Sequence, residues 1–486
     1  MRDDRLIIGA ESAALRELDP WTKHMLKVFN HYFPTHTLQQ ALFDVGLLFV
    51  AVLAVSAFRL NGGEIDWIGM APLSLLFAVV MILLNSVLGL YRLPGSGLTG
   101  RESAVRTTIA VVVSVPVAFV VFQLLPWPEA APPNFELSAI VLLGLILVMR
   151  GVVNRRVAAS MFMPRVLIIG TGQEAADVEH SLHYPVKRGV EFVGFYPAIG
   201  DEDAVVESSS VLNGALSLHE TVQEQKVDEI IVAVRERRGG VLPIRELLDC
   251  KVRGVRVFDL SSFFERTQGQ IRIDSLRASW LIYGDGFRQG WARTFVKRCF
   301  DLSASIILLM MAAPVMLLTA LLILLEDGAP IFYKQERVGR GGRVFRVIKF
   351  RSMRRDAEGD GKPRWATAND DRTTRVGRVI RKLRIDELPQ LFNVIVGDMS
   401  LVGPRPERPY FVDQLSQEIP FYAVRHCVKP GVTGWAQVRY AYGSSVDDAV
   451  QKLQYDLYYV KNHTLVLDTL VLFETVRVVL TGEGAN

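Results

Sequence analysis

The segment Leu302–Leu325, LSASIILLMMAAPVMLLTALLILL, contains 24 residues without a charge and has Pro314 near its centre. Proline removes a backbone donor and clashes with the preceding turn, so a helix is expected to kink or break there. Basic residues flank the segment on both sides: Arg293, Lys297 and Arg298 before it, and Lys334, Arg337, Arg340 and Arg343 after it. A spanning helix would place one basic cluster on the wrong side of the bilayer. The pattern favours a re-entrant helix over residues 302–325 that enters the cytoplasmic leaflet, breaks at Pro314 and returns.

Four further apolar runs lie upstream of this segment. They are Ala41–Phe58, Trp67–Tyr91, Ala104–Trp127 and Leu137–Met149. The first three are long enough to span a bilayer, which takes about 20 residues, and the fourth is short. Arginines concentrate between the second and third runs and after the fourth, which places both chain ends in the cytoplasm. We predict a cytoplasmic segment over residues 1–37 and a four-helix transmembrane bundle over residues 38–156. The alternative, a soluble helical core, does not have such patterning.

The composition agrees with a membrane protein that has large water-exposed parts. Half of the 486 residues are apolar and 22% are charged, with a mean hydropathy of +0.24. These values exclude intrinsic disorder and disfavour a purely soluble enzyme. Three widely separated cysteines exclude a disulfide scaffold and a zinc cluster, and they fit a reducing compartment. Residues 1–34 are charged and lack an apolar core, so we predict no cleavable signal peptide.

Strand and helix patterns alternate over residues 164–270. The predicted strands are Arg165–Gly170, Glu191–Tyr196, Glu229–Val234 and Val255–Leu260, with a helix over Glu174–His183 after the first. This alternation predicts a small doubly wound, Rossmann-like domain, followed by a linker over residues 271–292. The turn Gly170–Ala175, GTGQEA, resembles a dinucleotide fingerprint, but no suitably placed ribose-binding acid follows. Nucleotide binding and a degenerate fold that only positions or regulates both remain open.

Residues 330–385 are strongly basic. They contain seventeen Lys or Arg and six acidic residues, a net charge of +11. One interpretation is a surface for anionic lipid headgroups, and a second is a site for a polyanionic substrate. Nucleic acid is a third, but base-stacking aromatic residues are sparse here and a membrane anchor argues against it.

An adjacent acidic pair, Asp386 and Glu387, follows the basic stretch directly. The apolar residues after the pair have helical spacing, and Pro389 is tolerated only in the first turn of a helix. We therefore place Asp386 at or next to the N-cap, where capping is one role for an aspartate. A helix N-terminus is also an anion site. An acidic pair among arginines can hold a divalent cation over phosphates, and such a carboxylate can attack phosphorus.

A second candidate segment is Gly397–Glu407, which contains Pro404-Arg405-Pro406. Two prolines fix the backbone on both sides of Arg405 and so aim one guanidinium group. Rigid presentation of a forked donor suits phosphate recognition. The alternative is a proline-rich connector with a solvated arginine.

From Lys297 to the C-terminus, the chain resembles the bacterial sugar transferase family, the polyprenol-phosphate sugar-1-phosphate transferases. Seven ordered blocks carry the resemblance: Lys297–Asp301, the run with Pro314, Phe332–Gly339, Lys349–Met353, Asp386–Gln390, Gly397–Pro406 and Lys429–Gln437. With its upstream bundle and α/β domain, the chain is similar to the large multi-domain members of exopolysaccharide initiation. The resemblance implies an α/β catalytic domain over residues 293–486, anchored by the re-entrant helix.

The resemblance also implies a two-step reaction. Asp386 attacks the β-phosphorus of a UDP-sugar and releases UMP, and the sugar phosphate then passes to undecaprenyl phosphate. Asp386 and Glu387 would hold Mg²⁺. The residues expected to bind substrate phosphates are Arg381, Arg405, Lys349, Arg351, Lys297 and Arg298. We expect a homodimer in the bacterial inner membrane, with the catalytic domain on the cytoplasmic face of the bilayer and no nucleic-acid partner.

The chain departs from the family pattern at two places. Ala313-Pro314 stands where Ser-Pro is usual, and Val438-Arg439-Tyr440 follows the Gly-Trp-Ala-Gln block in place of Val-Asn. The sugar therefore cannot be carried over, although the resemblance favours glucose or galactose. One alternative function is a membrane-anchored nucleotide-sugar dehydratase or epimerase, but it needs a Tyr-x-x-x-Lys pair that the sequence lacks. Another is a non-catalytic membrane scaffold, which would not need the acidic pair.

Overall fold

The computed structural model describes residues 25–28, 31–34, 46 and 164–481, without residues 184–190, 199–204, 213–215, 235–241, 275–289, 355–371, 441–442 and 444. Two short strands near the N-terminus, β1 (Met25–Val28) and β2 (His31–Pro34), pair with each other. The four predicted transmembrane runs lie outside the described residues, so the bundle stays a prediction. The rest of the chain forms two compact units that divide between Phe263 and Phe264.

The first unit contains a parallel four-stranded sheet. Its elements are β3 (Arg165–Ile169), α1 (Gln173–His183), β4 (Glu191–Tyr196), α2 (Leu218–Glu224), β5 (Glu229–Val232), α3 (Ile244–Val252), β6 (Arg256–Asp259) and the start of α4 (Leu260–Gln268). The strand order is β4-β3-β5-β6, and every pairing is parallel. The apolar strand centres are buried, as continuous apolar runs in a parallel sheet require. Each predicted strand is present, with ends within two residues of the prediction.

Gly170, the first glycine of the turn after β3, has a packing role. Its φ is +112°, and a Cβ atom there would lie 2.8 Å from the carbonyl oxygen of Ala233. The next carbonyl, that of Thr171, accepts hydrogen bonds from the backbone amides of Val205 and Val206. The close approach of two strand ends is therefore enough to require this glycine. A nucleotide-binding role for the turn stays a prediction.

The second unit mixes helices with two small sheets. Its elements are α5 (Trp291–Asp327), β7 (Phe332–Val338), β8 (Val344–Phe350), α6 (Arg375–Lys382), α7 (Gln390–Val396), β9 (Ser400–Val402), α8 (Pro409–Glu418), β10 (Gly431–Thr433), α9 (Trp435–Arg439), α10 (Val446–Asn462) and α11 (Leu465–Thr481). Strands β7 and β8 form an antiparallel hairpin, and β9 and β10 pair in parallel. The core beneath them is built largely from α7, β9, α10 and α11.

The end of α4 and the residues after it belong to this second unit. The indole N–H of Trp435 donates to the carbonyl oxygen of Gly269 over 2.7 Å. Ile271 is almost completely buried, and its backbone amide donates to the carbonyl oxygen of Gln454. Glu265 binds Lys461 and Asn462 on α10. The predicted boundary between residues 270 and 271 therefore falls inside a packed segment.

Helix α5 corrects one detail of the sequence analysis, because it is not interrupted at Pro314. One helix runs from Trp291 to Asp327. Proline removes a single backbone donor, and packing holds the helix on both sides of it. One face of the helix, with residues at helical spacing, packs against the rest of the second unit: Asp301, Ser305, Leu309, Ala312, Met316, Ala320 and Ile323. The opposite face exposes large apolar side chains, including Met311, Leu317 and Leu325. Among the described residues, this is the one helix long and apolar enough to cross a membrane.

Candidate active site

A cavity of about 640 Å³ in the second unit collects most of the candidate residues. Its walls come from the end of β8, the turn Ile385–Glu387, the segment after β9, and α10. Basic side chains are numerous in the lining: Arg337, Lys349, Arg351, Arg354, Arg372, Arg381, Arg384, Arg405, Arg408, Arg425 and Lys452. The acidic lining residues are Asp386, Glu387, Glu407 and Asp456. This excess of cations, enclosed by protein, is suited to a polyanionic ligand.

Asp386 and Glu387 lie in a 3₁₀ turn, Ile385–Glu387, and do not cap helix α7. Helix α7 begins at Gln390 with Pro389 as its N-cap, so the predicted capping role of Asp386 is wrong. Two amides in the first turn of α7 are already used within the turn: Leu391 donates to the carbonyl oxygen of Leu388, and Phe392 donates to that of Pro389. An anion site at this helix N-terminus stays a prediction. Basic side chains supply positive charge around the acidic pair.

The two adjacent carboxylates have opposite surroundings. Glu387 Oε1 lies 2.9 Å from Lys349 Nζ and 2.8 Å from Arg405 Nη2. Among the described residues, no donor makes a hydrogen bond to the carboxylate of Asp386. Both side chains are buried, with 9% of Asp386 and 8% of Glu387 exposed. The pair thus consists of one anchored carboxylate and one that is available for chemistry.

Electrostatics separate the two groups further. Burial, reinforced by the charge of Glu387, raises the pKa of Asp386 from 3.8 to about 6. Burial alone would also raise the pKa of Glu387, but Arg405 and Lys349 outweigh it and hold that pKa well below its usual value. Burial lowers the pKa of the Lys349 ammonium, although Glu387 opposes this effect. Near neutral pH, Glu387 is a fixed anion and Asp386 is a carboxylate with raised proton affinity.

Two glycines position the segment that carries Arg405. A Cβ atom on Gly403 would lie 2.3 Å from the carbonyl oxygen of Lys429, and one on Gly431 would lie 2.1 Å from the amide nitrogen of Gly403. Only glycine permits this contact between the backbones at the ends of β9 and β10. The carbonyl oxygen of Arg405 accepts from Arg425 Nη2 over 2.9 Å. The backbone is thereby fixed while the Arg405 guanidinium reaches Glu387.

The structure brings four of the six predicted phosphate-binding residues to the cavity. Lys349 and Arg405 contact Glu387, and Arg381 lines the cavity from α6. Arg351 also lines it, but its guanidinium donates to the carbonyl oxygens of Asp327 and Gly328 at the end of α5.

Lys297 and Arg298 are not brought to the cavity. Lys297 Nζ lies 2.7 Å from Asp468 Oδ2 on helix α11. Arg298 donates to the carbonyl oxygens of Val394 and Ile395, over 2.6 and 2.7 Å. These two cations therefore tie helix α5 to its neighbours, and the end of α7 in particular is capped by Arg298.

The cavity lining also includes Tyr422, Arg425 and Asp456, which were not predicted from the sequence. Arg425 and Asp456 form a buried ion pair of 2.7 Å. One signal was available in the sequence, because Asp456 interrupts an apolar face of α10 that includes Leu453, Leu457 and Val460. A single charged residue on a buried helix face usually has a partner or a function.

A basic cavity with a buried carboxylate pair, in a unit that also carries a long apolar helix, is the arrangement expected of a class of proteins that handle phosphates at a membrane surface. Comparison with known proteins identifies the family. Residues 292–482 match the model of the bacterial sugar transferases. The chain is 32% identical to the undecaprenyl-phosphate glucose phosphotransferase of Komagataeibacter xylinus over 391 residues, which are 74% of this chain and 70% of that enzyme. The protein belongs to the bacterial sugar transferase family.

Two other relatives are named for the transfer of other sugars. The chain is 47% identical over 242 residues to the UDP-N-acetylgalactosamine-undecaprenyl-phosphate N-acetylgalactosaminephosphotransferase of Aeromonas hydrophila, covering 50% of this chain and 56% of that enzyme. It is 31% identical over 347 residues to the undecaprenyl-phosphate galactose phosphotransferase of Salmonella typhimurium, covering 66% of this chain and 69% of that enzyme. The chain thus spans between about half and 70% of these relatives.

Proposed function

We propose that the protein transfers a sugar-1-phosphate from a UDP-sugar to undecaprenyl phosphate and releases UMP. This would be the initiating step of exopolysaccharide or other surface glycan synthesis. The observation that carries the proposal is the carboxylate pair, Asp386 and Glu387, set among Lys349 and Arg405 in the basic cavity. The names of the relatives support both the donor and the acceptor.

The proposed reaction proceeds through a covalent intermediate on Asp386. A carboxylate oxygen of Asp386 attacks the β-phosphorus, and the bond from that phosphorus to the bridging oxygen breaks, so UMP leaves with the electron pair. A phosphate oxygen of undecaprenyl phosphate then attacks the same phosphorus and displaces Asp386 as a carboxylate. Asp386 is suited to attack because no donor among the described residues occupies its oxygens. Its raised pKa also makes it a better nucleophile than an ordinary carboxylate.

The cavity would bind the diphosphate chiefly through Arg405, Arg381 and Lys349. Phosphoryl transfer depends on positioning and charge neutralisation more than on proton transfer, and a buried cluster of cations provides both. In the structure, the side chains of Arg405 and Lys349 both donate to Glu387 Oε1, which holds them next to Asp386. Glu387 therefore has a positioning role, because its fixed charge holds two cations beside the attacking group.

The acidic pair fits Mg²⁺. Magnesium prefers oxygen ligands and is commonly held by one or two carboxylates together with substrate phosphates. Among the described residues, no donor makes a hydrogen bond to the Asp386 carboxylate or to Glu387 Oε2, so both groups can offer oxygen atoms. Within the part of the chain that the structure describes, no group of three or more acidic, His or Cys side chains could hold a metal ion, so the remaining ligands of Mg²⁺ would have to be substrate phosphates and water. When bound, Mg²⁺ would neutralise charge on the diphosphate.

We further propose an inner-membrane location with the catalytic unit on the cytoplasmic face, where both a UDP-sugar and a lipid phosphate are accessible. The membrane anchors would be the predicted bundle and the apolar face of α5, which as an uninterrupted helix would lie along the cytoplasmic surface of the bilayer. The assembly would be a homodimer. The exposed apolar face of α5 supports contact with the bilayer.

The test is a single substitution with a matched control. Purified Asp386→Asn should release no UMP from any UDP-sugar, because an amide cannot attack phosphorus, while Asp398→Asn, at an exposed aspartate 12 positions later, should retain activity. Radiolabel from a sugar-labelled donor should stay on wild-type protein in the absence of undecaprenyl phosphate. Turnover by well-folded Asp386→Asn would rule out the covalent route, and an inactive wild type on a full panel of UDP-sugars would rule out the function.

A further inference from the structure

A cluster of buried polar groups lies just beyond Arg405 in the same cavity. Arg425, in the 3₁₀ turn Tyr422–Cys427, pairs with Asp456 on α10. Gln437, half-buried on α9, which packs against α10, lines the same cavity. Only 6% of Arg425 and 2% of Asp456 is exposed. Such groups are costly to bury, so each one is expected to have a partner.

Part of the hydrogen-bonding capacity of this cluster is not used among the residues that the structure describes. Arg425 uses Nη1 for the hydroxyl of Tyr422 and Nη2 for the carbonyl oxygen of Arg405. Asp456 uses Oδ2 for Arg425. Three buried atoms make no hydrogen bond to the described residues: Asp456 Oδ1, Gln437 Oε1 and Arg425 Nε. The cluster therefore offers two acceptors and one donor in a cavity wall.

The position and polarity of these atoms indicate their ligand. Arg425 donates to the carbonyl oxygen of Arg405, and the guanidinium of Arg405 contacts Glu387. Arg405 therefore connects the cluster to the proposed diphosphate site. A uracil ring presents two acceptors and one N–H donor. The cluster offers the same set of groups, so the two are not complementary. A pair of neighbouring hydroxyl groups matches, because each can donate to an acceptor and one can also accept from Arg425 Nε. Apolar side chains nearby, such as Phe411 and Leu453, would pack on the carbon face of a sugar ring.

We propose that Arg425, Asp456 and Gln437 form a subsite that binds a vicinal diol of the donor. This inference rests on the proposed function. The diol has two possible sources, because both the ribose and the transferred sugar adjoin the diphosphate. A subsite of this kind would discriminate strongly, since a donor that lacks the hydroxyl leaves buried acceptors unpaired.

The experiment uses the purified full chain and Gln437→Met, which removes the acceptor and keeps a side chain of similar length. Gln437 Oε1 makes no hydrogen bond to the described residues, so its loss should not weaken the fold. We expect the KM for the accepted UDP-sugar to rise about tenfold, with kcat changed less than twofold. Gln414→Met, at an exposed position on α8, should leave both constants unchanged.

Deoxygenated donors complete the test and separate the two sources. Wild-type protein should lose about tenfold in kcat/KM with one deoxy donor, and Gln437→Met should lose nothing further with that same donor. A 2′- or 3′-deoxyuridine donor that behaves this way assigns the ribose, and a deoxy-sugar donor assigns the transferred sugar. Asp456→Asn should show the same non-additivity.

Independent, additive losses for every analogue, or an unchanged KM in Gln437→Met, would overturn the subsite while leaving the proposed function standing. A wild-type protein that releases UMP from no UDP-sugar would instead reject the proposed function on which the subsite rests.

Discussion

The substitution Asp386→Asn should stabilise the fold while it removes activity. The Asp386 carboxylate is buried, receives no hydrogen bond from the described residues, and lies beside the fixed charge of Glu387. Its pKa of about 6 in the folded chain compares with an ordinary value of 3.8. At about 1.36 kcal/mol for each pKa unit, keeping this group ionised costs the fold about 3 kcal/mol at pH 7.5. An amide of the same shape does not bear this cost.

The effect depends on pH in a direction that follows from the raised pKa. Below pH 3.8 the carboxyl is neutral in both the folded and the unfolded chain, so the aspartate costs nothing there. The cost develops as pH rises and is complete above about pH 6. The stability difference between Asp386→Asn and wild type should therefore fall to about half its pH 7.5 value at pH 5, and to a small fraction near pH 4.

Thermal unfolding in detergent, followed by tryptophan fluorescence, measures this difference. For a domain of this size, about 3 kcal/mol corresponds to a rise of about 6–12 °C in the midpoint. Glu387→Gln is the matched control, because it removes the partner of Lys349 and Arg405 and should lower the midpoint by a comparable amount. A midpoint of Asp386→Asn at or below that of wild type at pH 7.5 would refute the argument that burial of the charged nucleophile is costly.

Two further predictions concern positions to which the structure gives a different role from the one predicted from the sequence. Arg298→Met should lower the free energy of unfolding by about 2 kcal/mol, because two charged hydrogen bonds to the end of α7 are lost. The KM for the UDP-sugar should not change. The control Arg293→Met, at an exposed position of the same helix, should change neither quantity. A truncation that begins at Phe264 should remain folded in detergent, whereas one that begins at Arg293 should unfold at lower temperature, because it leaves Trp435 without its partner Gly269. Equal midpoints for the two truncations would contradict this boundary.

The parallel sheet could be predicted from the sequence because its strands are short, continuous apolar runs separated by turns. Runs such as Arg165–Ile169 have few alternatives to a buried strand, and a helix before the next strand dictates parallel pairing. The ends of the strands differed by up to two residues, since hydrogen bonding and not side-chain polarity decides where a strand stops.

The acidic pair was also found from the sequence, but its geometry was not. Local spacing indicated that Asp386 precedes a helix, yet it could not show that Leu388 and Pro389 already have helical backbone angles and take over the role of the N-cap. The roles of Lys297 and Arg298 depend on Asp468 and on the end of α7, which are about 170 and 96 positions away along the chain. Such long-range partners decide whether an arginine binds phosphate or protein, and no local pattern contains them. The Arg425–Asp456 pair also joins distant positions, but here the charge of Asp456 on the buried face of α10 was a local signal for one of its two members.

The path of helix α5 relative to the bilayer follows from what its two ends contact. Near its start, Asp301 Oδ2 accepts from the hydroxyl of Ser400 over 2.8 Å. At its other end, Glu326 accepts from the backbone amides of Arg375 and Val376 at the start of α6. Both partners belong to the same folded unit, and a helix that crossed the bilayer would have to leave one of them on the opposite side. The contacts therefore support both ends being on the same side of the bilayer, which is the cytoplasmic side under the proposed function.

Cysteine labelling in intact membranes tests this topology in a variant without the three native cysteines. Ser303→Cys and Ala329→Cys are the probes, because both positions are exposed and Ala329 lies past the apolar run. Glu326 is not used, because it accepts hydrogen bonds from the start of α6. Both probes should react with an impermeant maleimide only after the cytoplasmic side is opened. Met311→Cys, exposed near the middle of the apolar run, should be protected from both sides by lipid. Reaction of Ala329→Cys from the periplasm would establish a spanning helix and move the active site away from its cytoplasmic donor.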